Sequence, residues 1–143
     1  MLRAVTKIDL FTTNQNEALA FYTEKLGFVI RDDITNGDFR WLTVSLPSQP
    51  DVQFVLLDIK SNDHDLTKAE ADTVMALLRE GKLPPSPVIE TDDIQKVYED
   101  FTAKGVEFLR PPTARPWGTS DAQFKDNSGN TWLLLQSGPG PQA

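Results

Sequence analysis

Glu17-Ala-Leu-Ala-Phe-Tyr-Thr-Glu-Lys-Leu-Gly-Phe28 is the stretch from which the rest of the chain can be placed. Ala18, Phe21, Tyr22 and Leu26 recur at helical spacing and form one apolar stripe, while Glu17, Glu24 and Lys25 fall off it. Gly27 can turn left-handed past a helix end, and Phe28 opens an extended run. The stretch therefore predicts a short helix between two strands, Ile8 to Thr12 before it and Phe28 to Asp32 after it. Such a unit packs one amphipathic helix against a sheet.

Downstream, Asp33 to Asp38 reads as a polar turn containing Asn36-Gly37, a hairpin signal. Phe39 to Leu46 alternates, with Leu42, Val44 and Leu46 on one face and Trp41, Thr43 and Ser45 on the other. Pro47 to Pro50 reads as a loop and Val52 to Asp58 as a further strand. Thr67-Lys-Ala-Glu70 fits a capping box, followed by Ala71, Val74, Met75 and Leu78 on one helix face. Pro84 and Pro85 prevent that helix from continuing.

The first pattern then returns. Val88 to Thr91 is a short strand, Asp92 or Asp93 can cap a helix, and Ile94, Val97, Tyr98 and Phe101 form its stripe. Val106 to Leu109 is a strand, Pro111 to Gly118 a proline-rich loop, Ser120 to Lys125 a strand, and Thr131 to Gln136 the last strand. The expected organisation is a first βαβββ module over residues 1–60, a connector with a helix over 61–83, and a second βαβββ module over 84–136. A flexible tail over 137–143 completes it. The repeat is one of pattern, since the halves share few residues.

Composition limits the partners. The 143 residues are 39% hydrophobic and 24% charged, the balance of a globular domain. Fourteen basic against 21 acidic residues give a net charge of -7, which repels phosphate backbones and argues against nucleic acid. The same charge favours a cationic small molecule. No apolar run approaches the roughly 20 residues that span a bilayer, so no membrane partner is expected and the chain is expected to be cytoplasmic. The absence of cysteine excludes disulfides, thiolate nucleophiles and cysteine-ligated metals within the chain.

The two modules, with the helix of residues 18–28 and the ending Phe124-Lys-Asp-Asn-Ser-Gly-Asn-Thr-Trp-Leu-Leu-Leu-Gln136, resemble the vicinal oxygen chelate superfamily. That superfamily includes glyoxalases, extradiol dioxygenases and bleomycin-resistance proteins. The resemblance covers residues 5–136 apart from the connector helix. It implies an α+β fold in which each βαβββ module curls a mixed β-sheet into a half-barrel, the pair enclosing a cavity. The family's phrase near the end of the second module is close to Phe-x-Asp-Pro-x-Gly-Asn, and Asn127 stands here in place of the Pro.

The resemblance also implies where a divalent metal would be held. Counted from Tyr22 and from the turn glycine, the four ligand positions fall on Lys7, Gln53 (or Val55 on a two-residue slip), Ser86 and Leu133. None is a histidine or carboxylate. A protonated lysine repels a cation and a leucine cannot ligate one, so no metal and no other cofactor is expected. Asp9 and Glu90, on inward-facing positions, offer with Gln53 the only displaced alternative.

The remaining candidates are lining residues. Lys7 either pairs with Asp9 or Glu90 or grips a ligand carboxylate. Phe11, Trp41 with Thr43, and Trp117 supply aromatic and polar lining of the kind small-molecule pockets use, whereas Trp132 by parity packs under a helix. His64, the only histidine, reads as a solvated surface residue. The resemblance thus implies a metal-independent, homodimeric small-molecule-binding protein of the glyoxalase/bleomycin-resistance type, sequestering a toxic or antibiotic compound. The alternative is a metal-dependent lyase, isomerase or dioxygenase with a displaced site.

Overall fold

The computed structural model describes residues 1–61 and 64–138, so most of the expected tail, residues 139–143, lies outside the described residues. The chain divides into two compact units, Met1–Ala76 and Leu77–Ala143. Each holds a four-stranded mixed sheet, and the fold is α+β with three α-helices among the described residues.

In the first unit β1 (Lys7–Thr12) leads into α1 (Gln15–Ala20), which continues as a π-helical turn over Phe21–Lys25. Then follow β2 (Val29–Asn36), β3 (Phe39–Ser45) and β4 (Gln53–Asp58). The strand order is β1-β4-β3-β2, with β1 parallel to β4 and the other pairs antiparallel. Asn14 caps α1 by accepting from the Glu17 N–H at 3.0 Å. Gln15 then donates to the carbonyls of Arg40 and Leu56, at 3.1 and 2.9 Å, tying the helix start to β3 and β4. Ala18, Phe21 and Tyr22 are buried as the stripe predicts, and the Phe28 ring bridges Tyr22 and Phe54. The π turn is a departure: the Leu26 N–H reaches Phe21 and the Phe28 N–H reaches Tyr22. One extra residue is thereby fitted into the helix end, a feature that apolar periodicity does not reveal.

The strand β2 is longer than expected. Its pairing with β3 runs to Asn36↔Phe39, so the polar stretch from Asp33 is strand and the turn shrinks to Gly37-Asp38. Polar composition misleads here because β2 is an edge strand with little burial, so polar residues can continue it.

The second unit takes in the last residues of α2 (Lys68–Arg79) and carries β5 (Val88–Glu90), α3 (Ile94–Ala103), β6 (Glu107–Ala114), β7 (Ser120–Lys125) and β8 (Thr131–Gln136). Its order, β5-β8-β7-β6, repeats that of the first sheet. The capping box forms, with Thr67 and Glu70 exchanging bonds of 2.9 and 3.1 Å. Asp93 caps α3. Phe101 and Tyr98 pack on Phe124 and Phe108, and Trp132, 1% exposed, stacks on Phe124 as parity predicts.

The expected loop from Pro111 is instead the continuation of β6, which reaches Ala114. The register breaks between Arg110 and Thr113, across the two prolines. Proline cannot donate to a ladder, but β6 is an edge strand, where a missing N–H need leave no partner unsatisfied.

The family phrase proves to be a turn built by one carboxylate. Asp126 Oδ1 accepts from the backbone N–H groups of Ser128, Gly129 and Asn130 at 2.9, 3.0 and 2.9 Å, and Oδ2 accepts from the Asn130 side chain. Gly129 has φ +103°, and a Cβ there would stand 2.5 Å from the carbonyl oxygen of Leu78 in α2. The signature thus secures a turn against a helix end.

Candidate functional site

In the first unit, Phe54, Val44, Leu42 and Leu10 form the face under α1, and strand alternation puts the predicted residues on the other face. Register aligns Lys7 with Gln53, Asp9 with Val55, Val55 with Thr43, and Phe11 with Leu57. Trp41, on the same face of β3 as Thr43, pairs in register with Ile34 of β2. Six predicted residues, Lys7, Asp9, Phe11, Trp41, Thr43 and Gln53, therefore share one surface of one sheet.

Their chemistry differs in detail from expectation. Lys7 and Asp9 are exposed, and among the described residues Lys7 makes no ion pair with either acid proposed for it. Trp41 is half-buried, its indole N–H 3.4 Å from Asp32. Thr43 is fully buried and accepts from the Asp32 N–H at 3.0 Å. Gln53 Oε1 is the buried side-chain polar atom that lacks a partner among the described residues. A buried acceptor is suited to take a hydrogen bond from a ligand N–H or O–H.

His64 is not the solvated residue that its flanking carboxylates suggest. Its ring stands edge-on to Phe11, centroids 5.6 Å apart. Nδ1 accepts from the Leu66 N–H at 3.1 Å, which assigns the proton to Nε2, 2.6 Å from the Ile59 carbonyl. The ring closes its own loop and seats it beside a predicted lining residue. Both nitrogens are engaged with backbone, leaving no free lone pair for a metal.

In the second unit, the residues opposite α3 alternate with buried Phe124, Trp132 and Leu134. Val88 is registered with Leu133, and Glu90 with Leu135. Ser86 lies just before β5, its N–H donating to the Thr131 carbonyl at 2.9 Å. Glu90 is exposed and accepts from Ser137. Trp117, 72% exposed, sits in the β6–β7 turn, which is closed by Arg115 N–H to Thr119 and Gly118 N–H to Arg115 bonds.

The donor set does not suit the divalent metal of the resembled family. In the first unit its positions carry a cation beside an amide, and in the second an alkyl side chain registered with valine. Among the described residues no three His, Cys, Asp or Glu side chains gather as a metal site.

Sequence reading missed a buried charge cluster in the second unit. Asp121, 7% exposed, lies on the face of β7 opposite α3 and is gripped by two arginines. Arg115 donates through Nε and Nη2 to its two oxygens, both at 2.9 Å. Arg110 pairs with Oδ1 and also donates from Nη1 to the Asp121 carbonyl at 3.0 Å. The Arg115 bonds, aided by Arg110, hold the Asp121 carboxyl below its ordinary pKa, while Asp121 raises that of Arg115. Alternation counted back from Phe124 along β7 puts Asp121 on the face away from the helix, and that was the available signal. Treating Pro111 to Gly118 as a loop hid the fact that Arg110 and Arg115 belong to one hairpin with it.

Residues 4–134 match the Glyoxalase/Bleomycin resistance protein/Dioxygenase superfamily. The chain is 35% identical over 127 residues to an uncharacterized protein, YurT, of Bacillus subtilis (strain 168), covering 89% of this chain and 94% of that one. Among solved structures it is similar to UcmS2, with TM-score 0.86, 32% identity, and 94% and 98% of the two chains covered. It is also similar to TnmS3, an antibiotic binding protein from Streptomyces sp. CB03234, with TM-score 0.72, 26% identity, and 95% and 97% covered.

Proposed function

Since the chain belongs to the Glyoxalase/Bleomycin resistance protein/Dioxygenase superfamily, we propose that it is a metal-independent binding protein that sequesters a small organic molecule of toxic or antibiotic kind. The observation that carries this reading is the first sheet's face opposite α1. There a ring (Phe11), an indole (Trp41) and an unpartnered buried acceptor (Gln53) share one surface with a lysine where a metal ligand would stand. Aromatic surface with a few directional polar groups is what holds a small organic ligand, and a cation at the metal position opposes ion binding. The likeness to an antibiotic binding protein supports the same reading. In this proposal Lys7, Asp9, Phe11, Trp41, Thr43 and Gln53 are the ligand-binding residues of the first module, and Ser86, Glu90, Trp117 and Leu133 those of the second. The protein acts as a cytoplasmic homodimer.

A thermal-shift screen tests it. Aromatic antibiotics and other planar organic molecules are expected to raise the melting temperature. A ligand at one hundred times its Kd stabilises by about 2.7 kcal/mol. Trp41→Phe should reduce the shift, and Mn2+, Ni2+, Zn2+ or Fe2+ should leave it unchanged. A stoichiometric divalent ion lost on Asp9→Asn or Glu90→Gln would replace this reading with the metal-dependent one.

A further inference from the structure

The β6–β7 hairpin carries more positive charge than its own structure requires. Asp121 is buried and needs a cation, and Arg115 alone supplies a bidentate one at 2.9 Å to both oxygens. Arg110 is a second guanidinium on the same carboxylate. Elsewhere on the hairpin, Lys125 and Glu107 cancel one another at 3.1 Å. The hairpin from Glu107 to Lys125 is thus left with one net positive charge, three cations against two acids. Each arginine side chain of the cluster is 30% exposed, whereas that of Asp121 is 10% exposed, so the cluster turns cations rather than the anion toward solvent. Two donor groups, Arg115 Nη1 and Arg110 Nε, have no partner among the described residues. The nearest acid in the same row of the sheet is Glu90, separated from Asp121 by Leu135 and so by two strand spacings, about 10 Å. The turn of this same hairpin holds Trp117 out at 72% exposure.

We propose that Arg110 and Arg115, bridged by Asp121, bind an acidic group, a carboxylate or phenolate, of an aromatic ligand whose ring packs on Trp117. This rests on the small-molecule reading above and reverses the ligand charge that the overall -7 suggests. The local charge decides because distant surface acids are screened beyond a Debye length of about 8 Å in physiological salt, while a seated anion touches the guanidiniums directly. Asp121 fixes both guanidinium planes, so little side-chain entropy is lost when the anion arrives. An exposed indole in the turn of the same hairpin supplies rigid apolar area for the ring.

Isothermal titration calorimetry with 2-naphthoate, 2-naphthamide and 2-naphthylmethylamine separates the possibilities, because the three share a ring system and differ in charge. The acid is expected to bind at least tenfold more tightly than the amide, and the amine most weakly. The advantage of the acid should shrink as salt is raised. Arg110→Gln leaves Arg115 to balance Asp121, so the protein should stay folded, and it should abolish the preference for acid over amide. Trp117→Ala should weaken acid and amide by the same factor. Equal affinity for acid and amide in the wild type would overturn anion recognition and leave small-molecule binding intact, as would an undiminished preference in Arg110→Gln. If none of the three binds, the inference fails alone when other compounds still raise the melting temperature. It fails together with the small-molecule reading when none does.

Discussion

The two modules repeat one strand order but use their polar groups differently. In the first, the face opposite α1 leaves capacity unspent: Lys7 is exposed without an ion pair among the described residues, and the buried Gln53 Oε1 has no donor. In the second, polar groups build the architecture. Asp126 ties its turn, Asp121 ties two arginines, and Gln136, 3% exposed, accepts from the Ile94 N–H at 2.8 Å to seat the start of α3. Their helix ends differ too. After α3, the Gly105 and Val106 N–H groups reach Thr102 and Phe101, a regular closure, whereas the first helix carries its extra residue as a π turn. A repeated fold therefore constrains the hydrogen-bonded skeleton and leaves each copy free to assign its second face, one to polar groups without an ion pair and the other to a charge cluster in which two arginines share one aspartate.

The sharpest break in the comparison should come at the turns. Gly129→Ala forces a Cβ to 2.5 Å from a backbone oxygen at φ +103°, and is expected to cost about 3 kcal/mol in urea unfolding. Gly37→Ala, at φ +63° with open space around it, should cost about 1 kcal/mol. Equal losses would mean that the turn after β7 is not held against α2.

Two glutamines should then respond in opposite senses. Gln136→Leu strands a buried N–H and is expected to destabilise by about 2 kcal/mol. Gln53→Leu removes an acceptor that has no partner, so stability should be unchanged or slightly raised while ligand affinity falls. A large stability loss at Gln53 would show that its oxygen is already satisfied.

Acid titration gives the smallest contrast. The Asp121 carboxyl is held below its ordinary value chiefly by Arg115, so its folded pKa lies under its unfolded one. Its contribution is fully present above the unfolded pKa of about 3.9 and is lost as pH falls through the folded value. Asp33 is likewise lowered, by Arg40, but its side chain is 36% exposed and the pair is screened by solvent. Urea midpoints between pH 6 and 2 should therefore lose more of their acid slope in Asp121→Asn than in Asp33→Asn. The reverse order would place the greater electrostatic stabilisation in the first module.

Much of the scaffold was legible in the residues because apolar periodicity and burial are the same fact seen twice. Ala18, Phe21 and Tyr22 had to face a sheet, Trp132 had to share a side with Leu134, and Thr67 with Glu70 had to start a helix. The candidate site was legible only in part. Alternation put Lys7, Asp9 and Phe11 on one face, and the parallel register with β4 brought Gln53 and Val55 beside them. Arg110 and Arg115 escaped notice because two prolines concealed the strand that carries Arg110, and an edge position lifts the penalty that prolines normally signal. His64 escaped because its partners, Phe11 and the Ile59 carbonyl, are brought to it by a loop whose path has no periodic signature.

The sequence by itself determined the two βαβββ modules and their helices, which need only spacing and residue chemistry. That the family's metal positions fall on Lys7, Gln53, Ser86 and Leu133 is implied by the resemblance alone. Tertiary structure alone decided that Val88, not Ser86, is registered with Leu133, that Gly129 abuts the end of α2, and that one buried aspartate draws two arginines together. Register between strands and the pairing of charges depend on which backbone groups meet across the sheet, and the local order of residues does not encode that meeting.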